Sequence, residues 1–238
     1  MSEKKLRVLA IGAHPDDIEI LCAGTLAKYA QAGHQVINCV VTDGSAGHMI
    51  IKPPELAKIR QEEARKAAET IGAEFIWMGF PDELLMNDLD TRLAFINMIR
   101  VAWPDVIITH APEDYHPDHR MVNRLVFDAS FVSSVPAIET EHPAHPLVPP
   151  LYYFDTLASV NFLPTEYVDI SDTIETKKAM LSCHQSQVKW LKDHDNIDII
   201  DFVVTMAKLR GLQCGVPFAE GFRKEPVWPR GITRRLLP

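Results

Sequence analysis

The sequence has no apolar run near the roughly 20 residues that a bilayer-spanning helix needs, so no membrane span is predicted. Positive charge is scarce: 24 Lys and Arg face 32 Asp and Glu, for a formal net charge of −8. A nucleic-acid binder needs a basic patch to displace counterions, and that class is excluded. Only 4 cysteines occur among 238 residues, Cys22, Cys39, Cys183 and Cys214, and none forms a CxxC. This excludes a disulfide framework and fits reduced thiols in a cytoplasmic protein. No glycine-rich turn follows the first apolar run, so a phosphate cradle is not expected there. The opening MSEKKLRVLAIG lacks a small-residue cleavage site and reads as a first strand rather than a signal peptide. Repeats, low-complexity tracts and clean linkers are also missing, which predicts one domain over residues 1–238.

What is present is an alternation of strand-like and helix-like segments. LRVLAIGA (6–13), HQVINCVVTDG (34–44), EFIWMGF (74–80), DVIITHAP (105–112) and LYYFDTL (151–157) read as strands. Between them, 18–33, 54–72, 91–103 and 116–133 carry helical spacing, with Gly33 and Gly72 as C-terminal stops. Residues 134–150 hold five prolines and read as a loop. Residues 171–184 and 198–211 read as later helices in a less regular C-terminal third. Apolar strands alternating with helices predict an α/β fold: a Rossmann-like, open, mostly parallel sheet flanked by helices. Ligands of such sheets bind beyond the carboxyl ends of the strands. In the order 3-2-1-4-5, the first and fourth strands are neighbours.

Both of those strands end in ionisable clusters. AHPDD (13–17) follows the first, and THAPEDYHPDHR (109–120) contains the end of the fourth. Paired aspartates would repel phosphate, and a phosphatase nucleophile would stand directly after the strand, where His14 stands instead. Imidazole and carboxylate together suit a divalent cation. Asp17 alone is explained equally well as a helix N-cap, but that leaves His14 unexplained. His116 and His119, three apart near a helix start, share one surface. Two His-Pro-Asp clusters on facing strand ends predict a metal site between them.

These paired motifs resemble those of the LmbE-like, or PIG-L, family of zinc-dependent N-deacetylases. VTDGSAG (41–47), IRQEEARKAAETIGA (59–73), GFPDELL (79–85), CHQSQ (183–187) and GVPFAEGF (215–222) extend the resemblance along most of the chain. The resemblance implies zinc ligands His14, Asp17 and His119, and a general base, Asp16. It implies that His116 polarises the substrate carbonyl, that Asp118 tunes the charge of His116, and that Arg60 and Asp82 contact substrate. It further implies a small amino-sugar substrate and a homo-oligomer, trimer or hexamer. Where family members often carry a tyrosine, two residues before the first histidine of HPDH, this chain has Asp114; Tyr115 directly precedes His116.

Two imidazoles and one carboxylate leave a coordination position open for water, which is the pattern of a catalytic zinc; iron(II) accepts the same set. The expected reaction is hydrolysis of the acetyl amide of an N-acetylglucosamine-type sugar or its conjugate. A zinc-dependent hydratase of an unsaturated carboxylic acid is the alternative, with Lys52, Arg60 and Arg120 as candidate carboxylate partners. A non-enzymatic metal or sugar binder is disfavoured, because Asp16 would then be an unused carboxylate beside the metal. Other polar residues have plainer readings. Asp43 either supports a zinc histidine or caps a turn; His110 either lines the pocket or packs. His184 reads as structural, Glu19 as a partner of Arg60 or a solvated position, and His142 and His145 as surface residues. Tyr152, Tyr153 and Phe154 read as core, and Glu63 and Arg65 as a solvated helix face.

Overall fold

A computed structural model describes residues 5–238. The predicted strands are β1 (Arg7–Gly12), β2 (Gln35–Thr42), β3 (Glu74–Phe80), β4 (Val106–Thr109) and β5 (Leu151–Phe154). Two more, β6 (Glu166–Asp169) and β7 (Ala219–Lys224), complete a seven-stranded sheet ordered β3-β2-β1-β4-β5-β7-β6. The first five pair in parallel, and β7 runs antiparallel between β5 and β6. β1 and β4 are neighbours as expected, with Val8 opposite Val106 and Ile11 opposite Thr109. Alternate strand residues feed two apolar layers: Val8, Ala10 and Val106 on one face, Leu9, Ile11 and Ile107 on the other.

The helices are α1 (Asp17–Leu21), α2 (Ala23–Gln31), α3 (Pro53–Glu69), α4 (Leu89–Ala102), α5 (Pro117–Val132), α6 (Ile174–Leu181), α7 (Gln185–Asp195) and α8 (Ile199–Cys214). Prolines at the first turns of α3 and α5 and the Asp88 cap on Thr91 N–H explain where helices begin. The helix expected over 18–33 is broken at Cys22, whose φ of −146° is not helical. The one expected over 171–184 ends at Leu181, and the polar QSQVKWLKDHD then forms α7 as a separate element. No helix among the described residues is long and apolar enough to cross a membrane.

The break at Cys22 has a partner far along the chain. Glu220 of β7 accepts hydrogen bonds from Gly24 N–H at 3.0 Å, Thr25 N–H at 2.8 Å and Thr25 Oγ1 at 2.6 Å. A buried carboxylate thus satisfies free N–H groups at the start of α2 and meets its positive dipole end. Lys177 of α6 neutralises it at 2.6 Å and also donates to Ile20 O at 2.8 Å. Glu220→Ala is therefore expected to lower unfolding free energy by about 3–5 kcal/mol, because it strands a buried ammonium. Removing the exposed Lys28–Asp172 pair with Lys28→Ala should change it by less than ~1 kcal/mol. Urea denaturation of both variants checks the contrast.

Candidate metal centre

The two motifs meet at the carboxyl ends of β1 and β4. Gly12 ends β1, and a Cβ there would stand 3.0 Å from Asp17 Cβ and 3.1 Å from Ile18 Cγ1, so glycine lets α1 fold back over the strand. His14 Nδ1 lies 3.2 Å from His119 Nε2 and 3.4 Å from Asp17 Oδ2, and His119 Nε2 lies 3.3 Å from Asp17 Oδ1. Ligands held about 2.0–2.1 Å from a tetrahedral zinc stand ~3.3–3.4 Å apart, the spacing found here between the two nitrogens and between each nitrogen and one or other Asp17 oxygen. The outward nitrogens of both rings face carboxylates. His14 Nε2 is 3.3 Å from Asp82 Oδ1 and 3.4 Å from Asp118 Oδ2, and His119 Nδ1 is 3.0 Å from Asp114 Oδ1. Metal-binding histidines are oriented in this way, with the far N–H held by a carboxylate.

The electrostatics agree. Burial opposes charge on His119, yet Asp17 and Asp114 outweigh it and raise its pKa to about 9. Burial likewise opposes charge on His14, and Asp118, Asp17 and Asp82 raise its pKa well above the ordinary histidine value. Burial works against the Asp17 carboxylate, but His119 and His110 hold its pKa well below the usual range. The pocket favours positive charge among these donors, and a bound cation would supply it while displacing protons.

Asp16 adopts φ 115° and ψ −23°, left-handed backbone that costs a non-glycine residue of order 1–3 kcal/mol. Arg60 is the brace. Its Nη1 donates to Gly44 O at 2.9 Å, and its Nη2 to Pro15 O at 2.5 Å and to Asp16 Oδ2 at 3.2 Å. Gly44, at φ 61°, makes room: a Cβ there would stand 2.7 Å from Arg60 Nη1. Burial raises the pKa of Asp16 to about 6, with Arg60 pulling against it.

His116 Nδ1 accepts the Asp118 N–H at 3.2 Å, which leaves the ring proton on Nε2, 3.2 Å from Glu83 Oε1. Asp118, expected to tune the charge of His116, has a carboxylate oxygen within 4.8 Å of a His116 ring nitrogen. The helix start offers His116 the Asp118 backbone, while the Asp118 carboxylate turns to His14 and accepts Glu83 N–H at 2.9 Å. Burial, followed by the His14 and His119 charges, lowers the pKa of His116, with Glu83 opposing. A cavity of about 410 Å³ opens beside these groups, bordered on this side by His14, Asp16, Asp17, Glu83, His116 and His119. Tyr115 also borders it, 64% exposed and edge-on to the His116 ring.

Arg60 and Asp82 reach the cavity wall, but their polar atoms are largely engaged inside the protein. Arg60 is only 4% exposed, and Asp82 accepts from Thr42 Oγ1 at 3.2 Å and Ala46 N–H at 2.9 Å. Several residues read as bland have structural work. His110 is fully buried, accepts Ala13 N–H at 2.9 Å, and stacks on His119 at 3.9 Å between centroids. Glu19 is buried 3.2 Å from His184 Nε2, not solvated. Glu63 is buried as well, accepting Ser186 N–H at 2.8 Å and Ser186 Oγ at 2.6 Å, so two carboxylates tie CHQSQ to α1 and α3. His145, expected at the surface, is buried against Trp103. Asp43 caps its own turn at Ser45 N–H, Arg65 lies on an exposed face with Glu62 and Glu69, and Tyr152, Tyr153 and Phe154 are core. Glu83 and Asp114 were missed, although each lies within a motif singled out from the sequence.

Comparison with known proteins follows the same lines. The family model for GlcNAc-PI de-N-acetylase, PIG-L, matches residues 9–130. A diacetylchitobiose deacetylase of Thermococcus kodakarensis is 30% identical, over 98% of this chain and 86% of the relative. A 4-oxalmesaconate hydratase of Pseudomonas putida is 23% identical, over 99% and 94%. The solved N,N'-diacetylchitobiose deacetylase of Pyrococcus horikoshii superposes with a TM-score of 0.81 at 28% identity, covering 92% of this chain and 83% of that one. With the fold, the paired His-Pro-Asp motifs and these matches in agreement, the chain belongs to the PIG-L family of de-N-acetylases.

Proposed function

We propose that the protein is a zinc-dependent hydrolase that removes the acetyl group from an N-acetylglucosamine-type amino sugar or its conjugate. The observation that carries this reading is the triad His14, Asp17 and His119 beside a cavity that also presents the Asp16 carboxylate and the His116 imidazole. Held by His14, Asp17 and His119, zinc would supply a water with its pKa lowered to roughly 7 and would polarise a carbonyl. Asp16, at the cavity and not among the three clustered donors, is assigned to take a proton from water and pass it to the leaving amine. His116, whose ring borders the cavity, is assigned to donate its Nε2–H to the oxygen that becomes negative as the amide carbon turns tetrahedral. Asp82, Asp114 and Asp118 keep the two ligand rings in orientation. Arg60 is assigned a positioning part, holding Asp16 in its strained turn.

The hydratase alternative fits less well. Among the described residues bordering the cavity, Arg60 is the one Lys or Arg, and its guanidinium is engaged with Gly44, Pro15 and Asp16. Lys52 and Arg120 do not border it, and Arg120 donates to the Asp114 and Tyr115 carbonyls. A carboxylate substrate would meet Asp16 and Glu83 without a free basic partner.

Metal analysis of the purified protein should find about one zinc per chain, in the stoichiometry of a mononuclear site. His14→Ala and His119→Ala should lose it, and a chelator should abolish acetate release that added zinc restores. Asp16→Asn should keep its zinc and lose about 10²–10⁴ in kcat, the usual worth of a general base. Unchanged turnover in that variant would remove Asp16 from the role. Arg60→Lys should lower kcat with zinc content and KM little altered; a rise confined to KM would point to substrate contact instead.

A further inference from the structure

The cavity has two unlike halves. One is the acidic and imidazole face at the strand ends. The other is a wall of Ile20, Leu157, Leu191, Ile197, Ile199 and Phe202, drawn from α1, the turn after β5, α7 and the start of α8. Ile197 is 40% exposed at the joint between α7 and α8, so this apolar wall continues towards solvent. None of these six side chains offers a hydrogen bond. A second sugar against them would leave its hydroxyls without protein partners, whereas an alkyl or aryl group would bury area favourably.

We infer that the substrate is an amino-sugar conjugate whose aglycone is apolar, seated against the Leu191–Ile197–Phe202 wall. This rests on the deacetylation reading for its direction: the acyl part released is a two-carbon group, which six apolar side chains are not needed to hold. The wall therefore serves the far end of the sugar. Leu191 and Ile197 act as specificity-determining residues, with Asp16, Glu83 and Gln187 left to meet the polar ring.

Calorimetry on the zinc-loaded Asp16→Asn protein tests the inference without depending on turnover. Hexyl N-acetylglucosaminide should bind at least tenfold more tightly than the methyl glycoside or diacetylchitobiose. Leu191→Ser and Ile197→Ser, the second at a partly exposed position that tolerates change, should each erase that difference. Equal affinity for hexyl and methyl glycosides overturns the inference. So does a gain that survives both substitutions, or one that moves to the methyl glycoside of N-hexanoylglucosamine. Acetate release by the wild-type protein is read separately. Tight hexyl binding without acetate release would remove the deacetylation reading and leave the apolar subsite standing.

Discussion

Two imidazoles and one carboxylate are pressed together at the end of the sheet. Two imidazole nitrogens lie 3.2 Å apart with a carboxylate within 3.4 Å of each. Such a cluster is stable only with positive charge at its centre, and the surrounding carboxylates Asp82, Asp114 and Asp118 make that requirement stronger. Everything nearby serves to impose this arrangement. Parallel pairing of β1 with β4 brings the two loops side by side, and Gly12 lets α1 close over the strand. Arg60 then forces Asp16 away from regular backbone, so that of two adjacent aspartates one faces the imidazoles and the other the cavity.

The C-terminal third is bound to this centre by buried charge rather than by sheet alone. Glu220 and Lys177 join β7 and α6 to the start of α2, Arg210 forks onto Asp155 at 2.6 and 2.9 Å, and Glu63 holds Ser186. Each is a long-range link of one charged or polar group to another in a protected setting. Loss of any single partner would leave the other without water to replace it.

The parallel half of the sheet was legible because strands buried on both faces leave continuous apolar runs, as RVLAIG and VIIT do. The meeting of His14, Asp17 and His119 was legible because each motif packs its ionisable groups into a few residues. Arrangements that depend on distant partners were not. β7 reads AEGFRK, with charges and glycine where a strand signal would need apolar residues, and its Glu220 is buried only because Lys177 and α2 meet it. Glu63 and His145 read as exposed, and Glu19 as a partner of Arg60 or solvated, for the same reason: nothing local announces Ser186, Trp103 or His184 as the neighbour. That Glu83 joins Asp118 near the His116 ring is a matter of side-chain direction at a helix start, which residue order does not carry.

The cleft is assembled from two stretches of chain. Its reactive face comes from residues within 14–119, all inside the span matched by the family model, while Leu157, Leu191, Ile197, Ile199 and Phe202 fall beyond it. Substitutions in α7, α8 and the turn before them would change that apolar wall while replacing no residue of the His14, Asp17 and His119 cluster.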